Sequence, residues 1–295
     1  MVTPFDKNSK IDFKACERMV EHLIATGSSA IVISGTTGES PTLEDGEKQE
    51  LLKCAISAAA RRAKIIMGTG SNNTKKSVQA SREAETVGAD GLLAVVPYYN
   101  KPSQAGMVAH FKEIAKSSSL PIILYNIPGR TGVNMAVDTT IELAEACGNI
   151  VGLKDSTADL VQAAEIAGRA PKHFRLYSGD DVLTLPFLSI GACGVVSVAS
   201  HLIGKQIGAM IEAYLKGNVQ LARELHDRYL VLFKGLFIAP NPTCVKYALA
   251  KEKLCEAYLR LPLVELDAKQ KSTLDGILNS ALADTASRPK QASFV

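Results

Sequence analysis

The segment Ile150-Val151-Gly152-Leu153-Lys154 is an apolar run that ends on an amine. An amine desolvated at such a place sheds its proton more easily and can attack a carbonyl carbon. Side chains alternate along a strand, so Lys154 shares a face with Gly152, which is expected to leave room beneath the lysine stem. The same position also suits an ordinary lysine paired with Asp155 or another carboxylate, so Lys154 alone leaves both readings open.

A second group stands one apolar run earlier, in Leu124-Tyr125-Asn126-Ile127-Pro128-Gly129-Arg130-Thr131-Gly132. If the two runs are neighbouring parallel strands, Tyr125 and Lys154 meet, and a phenol there can carry protons to and from a carbinolamine. Arg130, in the loop that follows, has the fork geometry that grips a carboxylate. A core tyrosine and a surface arginine would read the same way taken singly. The turn Gly35-Thr36-Thr37-Gly38-Glu39 could cradle an anion with its amides and hydroxyls, or could simply need its glycines. Tyr98 and Tyr99 sit on a proline-bracketed loop, as aromatics at an interface or a site do.

Other patterns carry no chemistry. Gly68-Thr69-Gly70 opens like a dinucleotide fingerprint but has Asn73 where the third glycine belongs, and Lys75-Lys76 lacks the glycine of a phosphate loop. The six cysteines are scattered without a CxxC pair, and the five histidines have no companion at ligand spacing. We expect no disulfide, no metal and no cofactor, with the cysteines as small buried hydrophobes in a reducing cytoplasm. The 33 basic and 30 acidic residues are mixed, which gives no footprint for nucleic acid or an anionic membrane. No apolar run approaches a membrane span, and residues 1–7 lack a signal-peptide pattern.

The elements that must position these groups follow from periodicity. Short Val/Ile/Leu-rich runs at 30–34, 64–68, 91–96, 121–126, 150–154, 174–178 and 194–198 read as strands buried on both faces of a parallel sheet. Helix-period stretches separate them, with start signals at Thr42 (a capping box), Asp138 and Asp181. Residues 1–3 resemble the tail of an eighth, leading strand, either a stub or the end of a strand that begins upstream. The reading is an α/β protein, a (β/α)8 TIM barrel over 1–217 with a truncated first strand; a doubly wound open sheet is the runner-up. Polar residues at the end of nearly every strand favour the barrel. Helical stretches at 202–217, 218–239, 244–255 and 267–282 follow; the first closes the barrel and the rest form a C-terminal extension over 218–285. Residues 286–295 lack periodicity and read as a disordered tail.

Taken together, Gly35 to Glu39, Tyr125-Asn126 with Pro128, and Gly152-Leu153-Lys154 resemble the dihydrodipicolinate synthase and N-acetylneuraminate lyase superfamily in order and spacing, from Val2 to about Pro262. The resemblance implies that Lys154 forms a Schiff base with pyruvate and that Tyr125 gives and takes the protons. It implies a relay from Tyr125 through Thr36 to Tyr99 of a neighbouring subunit, hence a homo-oligomer, a dimer of dimers. Thr37 would hold the pyruvate carboxylate with the backbone near Val196, and Gly179 would line the pocket. Arg130 resembles the synthase branch, where it binds aspartate 4-semialdehyde; the product is 4-hydroxy-tetrahydrodipicolinate, in the diaminopimelate route to lysine. The alternatives are an aldolase of N-acetylneuraminate or a 2-keto-3-deoxy sugar acid, and a non-catalytic barrel that binds a keto acid. Asp45, Lys48 and Lys76 stand where lysine-inhibited members bind the inhibitor, and the two cations imply weak or absent inhibition.

Overall fold

The computed structural model describes residues 1–283. Seven strands form one parallel sheet in chain order: β1 (Ala30–Ile33), β2 (Lys64–Gly68), β3 (Gly91–Val95), β4 (Ile122–Asn126), β5 (Ile150–Asp155), β6 (Arg175–Ser178) and β7 (Gly194–Val195). They lie within one or two residues of the apolar runs, except that β7 ends three residues early. The cause is a departure from the ladder: Ser197, Val198 and Ala199 turn to the Asp181 carboxylate instead of continuing the strand. The sheet curls, with helices outside it, so Ile31, Ile65, Leu92, Leu124, Leu153 and Leu176 are all buried. Burial on both faces is what continuous apolar strands require.

The helices of the repeat are α1 (Phe13–Ala25), α2 (Asp45–Ala59), α3 (Thr74–Val87), α4 (Gln104–Ser117), the single turn α5 (Pro128–Thr131), α6 (Val137–Ala146), α7 (Leu160–Arg169), α8 (Thr184–Ser189) and α9 (Ser200–Leu215). Asp12, Asn73, Ser103 and Asp159 cap α1, α3, α4 and α7 by accepting from backbone amides of the first turn. The three expected start signals resolve differently. The capping box of α2 is Glu44 with Glu47, while the Thr42 hydroxyl turns back to the Glu39 carbonyl. Asp138 lies inside the first turn of α6, and the side chain of Asp181 serves the end of β7 rather than α8.

The leading segment forms no strand. Met1 donates to the Val32 carbonyl at 2.7 Å, but the Val2 amide goes to Nε2 of His201 at 3.2 Å and the Thr3 hydroxyl to the Gly38 carbonyl at 2.7 Å. Three residues with their donors divided among three elements make no ladder, so β1 and β7 stay unpaired with each other.

After α9 come α10 (Val219–Gly235), α11 (Thr243–Lys251) and α12 (Ala268–Ala283). Both α10 and α11 pack against α9 and α12. The stretch predicted to be disordered, 286–295, lies outside the described residues.

Candidate active site

Strand register decides which side chains meet. In the β4–β5 ladder Tyr125 is the partner of Lys154, and across β5–β6 Lys154 is the partner of Tyr177. All three sit at the C-terminal ends of parallel strands, the end that carries the site in barrels. The Lys154 Nζ lies 4.0 Å from the centroid of the Tyr125 ring, in the range of a cation–π contact. Among the described residues no carboxylate pairs with Lys154. Asp155 points the other way along the alternation: its Oδ1 accepts from the amide and hydroxyl of Thr157, both at 2.7 Å. Its Oδ2 is buried without a hydrogen-bond partner among the described residues, and burial pushes the carboxyl above the usual range. An ordinary ion-paired lysine is therefore not what the strand end holds.

The room around the lysine comes from another glycine than expected. A Cβ on Gly152 would meet the Arg175 carbonyl at 2.5 Å, so this glycine admits the backbone of β6 and not the lysine stem. At Gly179 a Cβ would lie 3.0 Å from Cε of Lys154 and would overlap Oγ of Ser156. Gly179 thus touches the space of Lys154 directly. Ser156 Oγ is buried with no hydrogen-bond partner among the described residues and occupies the place a Gly179 Cβ would take; nothing in the sequence singled it out.

A cavity of about 240 Å³ opens beside Tyr125, lined among others by Thr36, Tyr98, Arg130 and Thr131. Arg130 is exposed and has no salt-bridge partner among the described residues, which leaves its fork free for a ligand carboxylate. The loop that carries it is fixed by Asn126. That buried amide donates to Oδ1 of Asn134 at 2.8 Å and accepts from the Met135 amide at 3.2 Å. Gly68 and Gly70 line the same cavity, and a Cβ at either would strike the backbone of Ser34 or Val95; close approach, not nucleotide binding, explains them.

Of the predicted site residues Thr36, Tyr125 and Arg130 line this cavity, and Thr37, Tyr99, Lys154, Gly179 and Val196 do not. Tyr99, 89% exposed with φ at 72°, is not part of the lining, whereas Tyr98 is. Within one chain no hydrogen bond joins Thr36 to Tyr125 or Tyr99 among the described residues. Val196, its amide bonded to the Ser178 carbonyl at 2.8 Å, lines a second cavity of about 390 Å³ together with Tyr177. Lys154 stands between the two spaces, flanked by one tyrosine from each. The turn after β7 is held by Asp181, which accepts from the amides of Val198 and Ala199 at 3.0 and 2.9 Å.

The Thr36-Thr37 turn is anchored from the far end of the chain. Asn241 donates to Oγ1 of Thr37 at 2.9 Å. Glu39, in a left-handed conformation at φ 55°, is fully buried against Lys246 of α11 at 2.5 Å, and Lys246 also donates to the Tyr258 carbonyl at 2.8 Å. Arg260 adds its amide to Glu39 and a bidentate pair to Glu47. A lone lysine in the apolar stretch Cys244-Val245-Lys246 was a visible signal of a buried charge; Asn241 gave none.

An amine set against a phenol at the open end of a curled parallel sheet, with the Arg130 guanidinium over the adjoining cavity, suits a barrel lyase of the Schiff-base kind. The comparisons with known proteins narrow the class. The model of the Dihydrodipicolinate synthetase family matches residues 1–281. A 4-hydroxy-tetrahydrodipicolinate synthase of Halalkalibacterium halodurans is 50% identical over 279 residues, 95% of this chain and 94% of its own. A synthase of the same name from Bacillus subtilis is 44% identical, over 95% of this chain and 96% of its own. Among solved structures, a dihydrodipicolinate synthase from Cyanidioschyzon merolae with lysine bound superposes with a TM-score of 0.94 at 46% identity, over 95% of this chain and 96% of its own. The chain belongs to the dihydrodipicolinate synthetase family, and its fold is the TIM barrel of that family with C-terminal helices.

Proposed function

We propose that this lyase condenses pyruvate with L-aspartate 4-semialdehyde to give 4-hydroxy-tetrahydrodipicolinate in the diaminopimelate route of lysine biosynthesis. The observation that carries the reading is the facing of Lys154 and Tyr125 beside a cavity lined by Arg130, which has no salt-bridge partner among the described residues. The Lys154 amine attacks C2 of pyruvate, and Tyr125 delivers the proton with which the carbinolamine oxygen leaves as water. The resulting imine is an electron sink. A methyl proton leaves, and the enamine carbon attacks the aldehyde of the semialdehyde, whose carboxylate Arg130 grips. The amino group of the second substrate then displaces Lys154 from the imine carbon, which closes the ring and frees the enzyme. Thr37 and the backbone near Val196 are assigned to the pyruvate carboxylate, and Gly179 to the pocket wall. No cofactor enters this sequence of steps, because the imine itself holds the electron pair.

Tyr99, exposed and outside the lining, suits a relay completed in a second copy, with Thr36 between Tyr99 and Tyr125. We assign the protein to a homo-oligomer, a dimer of dimers, acting in the cytoplasm. Among the described residues no helix is long and apolar enough to cross a membrane.

The test is pyruvate consumption with aspartate 4-semialdehyde or, separately, N-acetylmannosamine. Turnover with the semialdehyde alone, with KM for it raised about tenfold or more in Arg130→Ala, is the expected result. Turnover with the sugar would move the protein to the aldolase branch, and silence with both would favour a binding barrel.

A further inference from the structure

The side chain of Thr37 has one proton to give and two lone pairs to fill. The Asn241 amide fills one of those pairs at 2.9 Å, and among the described residues no group accepts the Thr37 proton. A hydroxyl whose oxygen is already engaged by a donor must aim its own hydrogen elsewhere. Asn241 is 7% exposed, its Oδ1 is buried without a hydrogen-bond partner among the described residues, and the next residues lead into α11, which carries the buried Lys246. Lys246 and Glu39 tie α11 to the same turn that bears Thr37, with both side chains fully out of water. The backbone of the turn and the direction of its hydroxyl are thus both set by the C-terminal extension, 204 residues away in sequence.

We infer that Asn241 is a positioning residue for pyruvate: it makes Thr37 an obligate hydrogen-bond donor towards the substrate carboxylate. This rests on the pyruvate-binding reading of Thr37 given above. A donor amide also places no negative charge beside an anionic substrate, whereas an aspartate there would both accept the Thr37 proton and repel the carboxylate.

The experiment compares Asn241→Ala, Asn241→Asp, Thr37→Val and the double variant N241A/T37V in steady-state assays over pyruvate. We expect T37V and N241A each to raise KM for pyruvate several-fold, and the double variant to raise it no further than the larger single effect. N241D should raise it about tenfold beyond N241A, roughly the worth of one charge-assisted hydrogen bond turned to repulsion, while kcat at saturating pyruvate falls by a smaller factor. Asn241 as mere support for the fold predicts lower melting temperatures with KM unchanged and additive effects. Additivity, or equal KM in N241A and N241D, overturns the inference; if N241D does not fold, the N241A/T37V cycle decides alone. Borohydride reduction of the parent protein with pyruvate separates the two levels. A trapped adduct without the KM pattern overturns the role of Asn241 only, and no adduct overturns that role together with the pyruvate reading.

Discussion

The Lys154 Nζ stands over the face of Tyr125, 4.0 Å from the ring centroid, because the two residues are direct partners in a parallel ladder. The contact is to the ring, so the hydroxyl is a separable part of the arrangement. Tyr125→Phe keeps the face and loses the proton carrier. We expect it to form the borohydride-trapped pyruvate adduct more slowly than the parent but still to form it, while turnover falls about 10²- to 10⁴-fold, the usual worth of a general acid–base group. Lys154→Ala should lose adduct and turnover together. Mass spectrometry of the reduced protein reads both; full adduct formation in Lys154→Ala would place the nucleophile elsewhere.

The Glu39–Lys246 pair is fully buried, and burial pulls the Lys246 ammonium below the usual lysine range against the opposing influence of Glu39. Removing one member strands the other charge. Lys246→Met should therefore cost about 3–5 kcal/mol in urea unfolding, and the double variant E39Q/K246M should recover part of that loss. A single variant as stable as the parent would mean that the pair contributes no net stability.

Two buried histidines set an acid limit. His201 gives its Nδ1 proton to the Val198 carbonyl at 2.8 Å and receives the Val2 amide on Nε2, so the folded ring is neutral. Burial lowers its pKa from the usual 6.5 to about 3, and lowers that of His110 to about 4. In the unfolded chain both rings take protons near pH 6.5, so below that value the unfolded state binds more protons. The stability due to the neutral rings is complete above about pH 6.5 and drains away as pH falls towards 3. Urea midpoints measured from pH 7 to 4 should fall, and His201→Gln should flatten the fall; an unchanged slope in that variant would exclude His201 as a contributor.

Lysine should inhibit weakly or not at all. Lys48 is paired with Asp45 at 3.4 Å on α2, and Lys76 opens α3 with its amide on Asn73. A cationic amino acid bound between these two positions would meet like charge. Less than half inhibition at millimolar lysine is the expected titration; inhibition at sub-millimolar concentration would refute it, and Lys48→His should strengthen whatever binding there is.

The sequence by itself determined the repeat of buried strands and outer helices, because apolar continuity and caps are local signals that survive without coordinates. It also determined Lys154, Tyr125 and Arg130 as candidates, since a nucleophile or a fork at a strand end is legible from neighbours in the chain. It did not determine which glycine serves the lysine. Gly152 and Gly179 look alike in one dimension, and only the register of β5 against β6 shows that the first admits a backbone and the second touches Cε of Lys154. The caps at Asp138 and Asp181 were misplaced for a related reason: a short carboxylate bonds to whatever donor folding brings near, Arg169 for Asp138 and, sixteen or more residues away, Ser197 to Ala199 for Asp181, whereas Thr42 gives its proton to the Glu39 carbonyl three residues back. Residues 1–3 form no strand because Met1, Val2 and Thr3 bond to three different elements, which no local pattern shows. Asn241 and Lys246 lie more than 200 residues from the turn they hold, so their pairing with Thr37 and Glu39 is a property of α11 docking against the barrel. The chemistry was written in the chain one strand at a time; the direction of the hydroxyls and the space around the amine were decided by packing, which no local pattern encodes.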